Sequence, residues 1–311
     1  MYGDTFNFAF DKESSISACW GKDINETPAY DPIGPQELIF KIGNTFNLNE
    51  FLADFNFLAN IKVKVDKTEF KNIENVTEAL TQENLTCLST LASVVLIFEN
   101  NLNVLNLDDI LTFIKYIHKF KLSVIVQINT SSELTYSDII KLKLLGSSIQ
   151  LKTDNDFNAD IFIKNINALK EHNIIISSKI FVNKKTYDEV FKLVDFLDEN
   201  TSMKIFCNEP FISTSKYLAL QEKFLAAKLI NIRLATCGYT KFNAKQLNIK
   251  MEPADCDAMC FSIYIEDRKV YPCEYNKMCC MNLADCTSLH SFWYDKNFVK
   301  VRASIVDNNC C

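Results

Sequence analysis

Between residues 93 and 207 short apolar runs alternate with amphipathic segments, and this alternation restricts the fold more than any other feature. "SVVLIF" (93–98) is an unbroken apolar run of the buried-strand type. Leu107, Ile110, Leu111, Ile114 and Ile117 then recur at helical spacing, with Asn106 in N-cap position and acids in the first turn. "LSVIVQIN" (122–129) reads as a strand, and "SDIIKLKLLG" as a short helix closed by Gly146. "SSIQLKT" is the next strand, followed by a helix that turns Ile161, Ile163, Ile166 and Leu169 inward. "IIISSKIFV", a helix capped by Thr186, and "MKIFCN" complete the series. Strands joined through helices need crossover connections, which are right-handed and give a parallel sheet. The expected class is α/β, a partial or complete parallel (β/α) barrel.

The flanks read less directly. "IKVKV" (61–65) is an expected earlier strand and "TFNFAF" (5–10) another, while "ELIFKIG" (37–43) suits either strand or helix. "SKYLALQEKFLAAKLI" predicts a helix and "NIRLAT" a strand; the texture changes near Gly238. The expected layout is an N-terminal extension over 1–59, a barrel over 60–240 and a cysteine-rich tail over 241–311.

Composition narrows the function. Hydrophobic residues make up 48% of the chain, including 24 Phe, enough for a substantial core. A net charge of −6 and a pI near 5.3 argue against a nucleic-acid partner. No apolar stretch approaches the roughly 20 residues of a membrane helix, and "MYGDTFNFAFDKESS" lacks the regions of a signal peptide. The expectation is a cytoplasmic protein without membrane contact. In a reducing compartment clustered cysteines more often mark metal ligation than disulfides.

Eight of the twelve cysteines lie from Cys256 onward. "CDAMCFSIYIEDRKVYPC" (256–273) predicts a hairpin, pairing "SIYI" with "KVYP" around the turn Asp267-Arg268. Such a hairpin brings Cys256 and Cys273 together. Two further thiolates from Cys279, Cys280, Cys286 or Cys310 would complete a four-thiolate site for zinc or an iron–sulfur cluster. The set taken here is Cys256, Cys273, Cys286 and Cys310, with Cys260, Cys279, Cys280 and Cys311 as alternates. Adjacent cysteines diverge, so one of each neighbouring pair is spare. Reduced thiols in a packed tail, or disulfides, are the alternatives.

The repeated order resembles the radical SAM barrel, and the tail resembles its SPASM or twitch domain. In such tails a Cys opens a hairpin with an Asp-Gly turn that closes on "VYPC". Cys256 and Cys273 match those cysteines, Arg268 stands in place of the glycine, and Trp293 and Arg302 match the helix that follows. The resemblance tips the tail toward one [4Fe–4S] cluster, with zinc as the alternative. The catalytic half departs from the pattern. The family's Cys-x-x-x-Cys-x-x-Cys loop is missing: "DKTEFKNI" after Val65 has no cysteine, and the stretch after Phe10 has Cys19 alone. A Gly-Gly-Glu-Pro-like turn should follow "VVLIF", but the chain reads Glu99-Asn100-Asn101-Leu102. The resemblance therefore implies a degenerate member that binds no SAM. It would serve as a partner or peptide-binding subunit beside an active radical SAM enzyme and a ribosomally made precursor peptide. The alternatives are an active radical SAM/SPASM-type enzyme modifying a peptide, and a metal-stabilised scaffold.

Remaining polar residues have plainer readings. His118 and His172 sit near predicted helix ends, where a cation favours the dipole, and His290 is isolated. Phe292 and Trp293 read as core anchors, and Glu99 as a solvated loop acid. Lys152 and Asp154 lie at the C-terminal end of a strand, the functional rim of such barrels.

Overall fold

Each apolar run of the central region forms one strand, and most of these strands run parallel. The computed structural model describes residues 6–11, 16–21, 35–43, 46–59, 91–98, 107–153, 157–197, 202–207, 214–227, 232–236, 262–274, 277, 280–286 and 292–306. Among them, strands β1 (Phe6–Asp11) and β2 (Ile16–Gly21) pair antiparallel as a separate two-stranded sheet. The main sheet is built from β3 (Glu37–Ile42), β4 (Ser93–Phe98), β5 (Ser123–Asn129), β6 (Ser148–Lys152), β7 (Ile176–Val182), β8 (Ser202–Cys207), β9 (Ile232–Thr236), β10 (Ser262–Glu266), β11 (Lys269–Tyr271) and β12 (Met281–Asn282). Its order is β12-β11-β10-β3-β4-β5-β6-β7-β8-β9. From β3 to β9 spatial order follows chain order, the arrangement of a β/α barrel wall rather than of a doubly wound sheet. The helices among the described residues are α1 (Leu48–Leu58), α2 (Leu107–Lys119), α3 (Tyr136–Leu145), α4 (Ala159–Glu171), α5 (Tyr187–Leu193), α6 (Thr214–Ala226) and α7 (Lys296–Val306). Expectations at "IKVKV", Glu99–Leu102 and Asn106 lie outside the described residues.

The chain forms two compact units. The first takes Met1–Leu96, Val104–Val124 and Asp257–Ala303; the second takes Ile97–Asn103, Ile125–Cys256 and Ser304–Cys311. In the first, "ELIFKI" resolves as a strand because Leu38, Phe40 and Ile42 alternate into the core. The entries to β3, β4 and β5 lie side by side: Ala92 and Ser93 donate their N–H groups to Gln36 O, and Ser123 N–H donates to Ala92 O. Asn47 caps α1, its Oδ1 accepting from the Asn49 and Glu50 N–H groups. Phe113 of α2 meets Phe40, Phe46, Phe51 and Phe55 edge-on at centroid distances of 5.9–6.2 Å. Edge-to-face pairs of this kind add about 0.5–1.5 kcal/mol each beyond the area they bury. Tyr116 is buried beside them, donates its hydroxyl to Asn56 Oδ1 at 2.8 Å, and is pushed up to about 12 by burial.

In the second unit β5, β6, β7, β8 and β9 pair parallel in unbroken register. Thr135 and Asp138 form a capping box at the start of α3, and Gly146 ends it at φ +58°. On α4 the buried stripe is Ala159, Phe162, Asn165, Ile166 and Leu169. Asn165 is buried because it stitches the β5–α3 connection: its Oδ1 accepts from Leu134 N–H and its Nδ2 donates to Ser132 O. Among the described residues no helix is long and apolar enough to cross a membrane.

Candidate functional site

The tail hairpin forms on the expected turn. Asp267 and Arg268 both adopt positive φ, +50° and +58°, as a two-residue primed turn requires. An arginine at such a position carries backbone strain that glycine would not. Its side chain supplies a compensating contact. Arg268 Nε lies 3.2 and 3.3 Å from the two Asp54 oxygens, and its Nη2 lies 2.9 Å from Oδ1. Asp54 is buried on α1, and burial raises its pKa even though the guanidinium pulls it down. The hairpin is therefore clipped to the first helix by a charge pair that an Asp-Gly turn could not make.

A second clip lies one strand away. β10 pairs parallel with β3, and Lys41 Nζ donates to Glu266 Oε1 at 2.6 Å. Lys277 donates to the other oxygen of Glu266 and lies over the rings of Tyr264 and Tyr271 at 5.5 and 5.7 Å. Burial alone would raise Glu266, but the two ammonium groups outweigh it and hold the carboxyl below its ordinary value. Phe292, Trp293 and Phe298 are fully buried, as expected of anchors for the last helix.

The candidate metal ligands are only partly placed. Cys273 is half-buried just after β11, Cys280 is exposed, and Cys286 is half-buried after a 3₁₀ turn over Leu283–Asp285. None of the three is in a disulfide. Cys286 Sγ donates to Asn282 O at 3.3 Å, and burial, then Asp285 and Asp295, push its thiol up. That setting favours the protonated form, which ligation would have to reverse; the position of Cys273 at the hairpin's end suits a ligand. Among the described residues no three His, Cys, Asp or Glu side chains gather as a metal-binding group. Cys256, Cys260, Cys279, Cys310 and Cys311 lie outside the described residues.

The strand ends of the second unit form the other candidate region. Lys152 and Lys179 lie side by side in the β6–β7 register, their Nζ atoms 5.7 and 5.8 Å from the Phe181 ring centroid. Buried threonines fix the backbone around them. Thr130 donates its hydroxyl to Lys152 O, Thr153 Oγ1 accepts from Phe181 N–H, and Thr186 donates to Phe181 O. Thr186 thus occupies the start of α5 without capping it through its side chain, because its hydroxyl is engaged with β7 and with Asn183 N–H. Asp154, Glu99 and His290 lie outside the described residues. His118 and His172 sit at helix ends, the first with Nδ1 donating to Leu122 O and the second edge-on to the Tyr136 ring.

Among the described residues β3 opens the series of strands in chain order and α1 follows it; residues 43–47 between them read Gly-Asn-Thr-Phe-Asn, with no cysteine. The sequence leaves "ELIFKIG" open between strand and helix, and so points to the loops after Val65 and Phe10 instead.

No protein-family profile matches the chain, and no curated protein does. Solved structures similar to the chain share its mixed α/β fold, the radical-SAM-like architecture expected from the sequence. SuiB of Streptococcus suis bound to precursor peptide SuiA aligns with a TM-score of 0.53 at 15% identity, covering 87% of this chain and 67% of that one. SuiB bound to S-adenosylmethionine gives 0.52 at 15% identity, covering 87% and 66%. The chain thus spans about two thirds of the SuiB chains it matches. At this identity the likeness is one of fold.

Proposed function

We propose that this chain is a non-catalytic, radical-SAM-like protein that binds a precursor peptide during its maturation, beside an active radical SAM enzyme. The observation that carries the non-catalytic part is the connection from β3 to α1, Gly-Asn-Thr-Phe-Asn, where three thiolates would be needed to hold a SAM-binding cluster. The peptide part is supported by the fold shared with a protein crystallised with its precursor-peptide ligand. The tail thiols, Cys256 and Cys273 with Cys286 and Cys310, are proposed to hold one [4Fe–4S] cluster or a zinc ion. Such a centre would cross-link the hairpin to the chain end, and ligation would require Cys286 to lose its proton. The test of the peptide reading is a pull-down of the tagged full chain with peptides and enzymes encoded beside its gene. Retention of a short precursor and of a radical SAM enzyme is expected. Retention of neither, with correctly folded bait, removes the reading.

A further inference from the structure

Helix α3 is apolar on both sides. Its buried arc carries Asp138, Ile139, Leu142 and Leu145. Tyr136, Ile140 and Leu144, each one turn beyond the last, form a stripe on the opposite arc. Tyr136 is 70% and Leu144 60% exposed, and Ile140 is half-buried. In the same unit α4 and α5 keep the ordinary contrast between inner and outer faces. Their exposed positions are Asp160, Lys164, Asn167, Lys170 and Glu171 on α4, and Asp188 and Lys192 on α5. A helix that is apolar on its outer face as well normally meets something there.

The end of α4 extends this patch. The His172 ring lies edge-on to Tyr136 at a centroid distance of 5.9 Å. Ile175, 66% exposed, follows three residues later, and its carbonyl accepts from Ile149 N–H at the start of the strand that leaves α3. On α3 itself the exposed charge has one sign. Its one acid, Asp138, is buried, whereas Lys143 is exposed on the arc of the stripe. Glu133, just before the helix, is paired with Lys164.

We propose that this face docks a short amphipathic helix of a partner protein, with an acid beside its apolar stripe. Laid along α3, such a helix would meet Tyr136, Ile140 and Leu144 with residues spaced i, i+4 and i+7, its acid facing Lys143. A tyrosine and three aliphatic side chains offer on the order of 400 Å², about half of what each partner of a stable dimer buries. That area disfavours a second copy of the chain. So does charge, because an antiparallel pair of α3 helices brings each Lys143 to the positive N-terminus of the other. A free peptide is disfavoured as well, since it loses backbone freedom at every residue it orders and gains only a small patch. A helix already folded in a partner avoids that loss. The inference goes beyond the peptide reading and does not depend on it.

The test is fluorescence anisotropy on the full chain with a labelled, hydrocarbon-stapled helix of about four turns. The helix carries leucines at i, i+4 and i+7 with a glutamate beside them; one counterpart has serines for the leucines, another lysine for the glutamate. The leucine–glutamate helix should bind at least about tenfold more tightly than the serine helix, and about threefold more tightly than the lysine helix at low salt. Combined Leu144→Gln and Ile175→Gln substitutions, both at exposed positions, should remove the preference for leucine at unchanged thermal melting. Lys143→Gln should remove only the preference for glutamate. Equal binding of the three helices, binding of none, or indifference to the Leu144 and Ile175 substitutions overturns the proposal. A concentration-dependent dimer in sedimentation that those substitutions abolish also overturns it, because a second copy then covers the face. Binding to vesicles of phosphatidylcholine and phosphatidylserine, lost in the same variant, overturns it in favour of a membrane surface. Failure of the precursor to be retained in the pull-down is a separate result that removes the peptide reading alone.

Discussion

Arg268 joins two opposing effects in one residue. Its left-handed backbone costs about 1–2 kcal/mol relative to glycine, while its guanidinium neutralises the buried Asp54 carboxylate. Removing one partner of a fully buried pair costs about 3–5 kcal/mol; the Arg268 side chain is 52% exposed, which lowers the expected loss. Arg268→Ala should therefore destabilise the protein by about 2 kcal/mol, and Arg268→Gly by about 1 kcal/mol less than that, because it also relieves the backbone. Urea denaturation of the two variants checks the order, and an alanine variant more stable than the glycine variant would contradict it. Two nearby carboxyls have opposite pH signatures. Glu266 is held below its ordinary value, so its stabilisation is present above the unfolded value of 4.5 and is lost as pH falls through the lower folded value. Glu266→Gln should flatten that acid limb of the stability profile. Asp54 is raised by burial, so it costs stability at neutral pH and the cost is relieved on acidification.

At the scale of elements, the helix and strand order of residues 93–207 was legible because each element carries its own period. The phase of the helices was less so. On α2 the spacing predicted Leu107 and Leu111 inward, yet both are half-exposed and Phe113 and Tyr116 are buried instead. The choice was made by partners, since the rings on β3 and α1 that meet Phe113 are distant in sequence. On α4 Phe162 and Asn165 are buried where Ile161 and Ile163 were expected; Asn165 is held there by its hydrogen bonds to Ser132 and Leu134, some thirty residues earlier. β3 was legible in principle: Leu38, Phe40 and Ile42 keep a two-residue period, but seven residues are too few to exclude a helical turn. The register of the parallel strands was not legible, because it is fixed by pairing between strands roughly 25 residues apart and leaves no mark in any one strand. The terminal helix rests on aromatic anchors, so Trp293→Ala should cost about 3–5 kcal/mol. A thermal melt shifted by less than a degree would show that the anchor is dispensable.

For the whole molecule, the hairpin that carries the family resemblance is clipped to β3 and α1, while residues 43–47, between β3 and α1, contain no cysteine. Both features bear on the proposed reading, a fold like that of a peptide-binding protein without the reaction. If the tail thiols hold a centre, Cys256→Ala and Cys273→Ala should lower bound iron or zinc, measured by elemental analysis of anaerobically purified protein, together with thermal stability. Unchanged metal content and melting would remove that assignment. The most direct test of the central claim is the assay for SAM cleavage. After anaerobic reconstitution with iron and sulfide, the full chain is incubated with SAM and a strong reductant, and 5′-deoxyadenosine is quantified by chromatography and mass spectrometry. Product at the level of the protein-free control is predicted; turnover-dependent accumulation of 5′-deoxyadenosine would contradict the account.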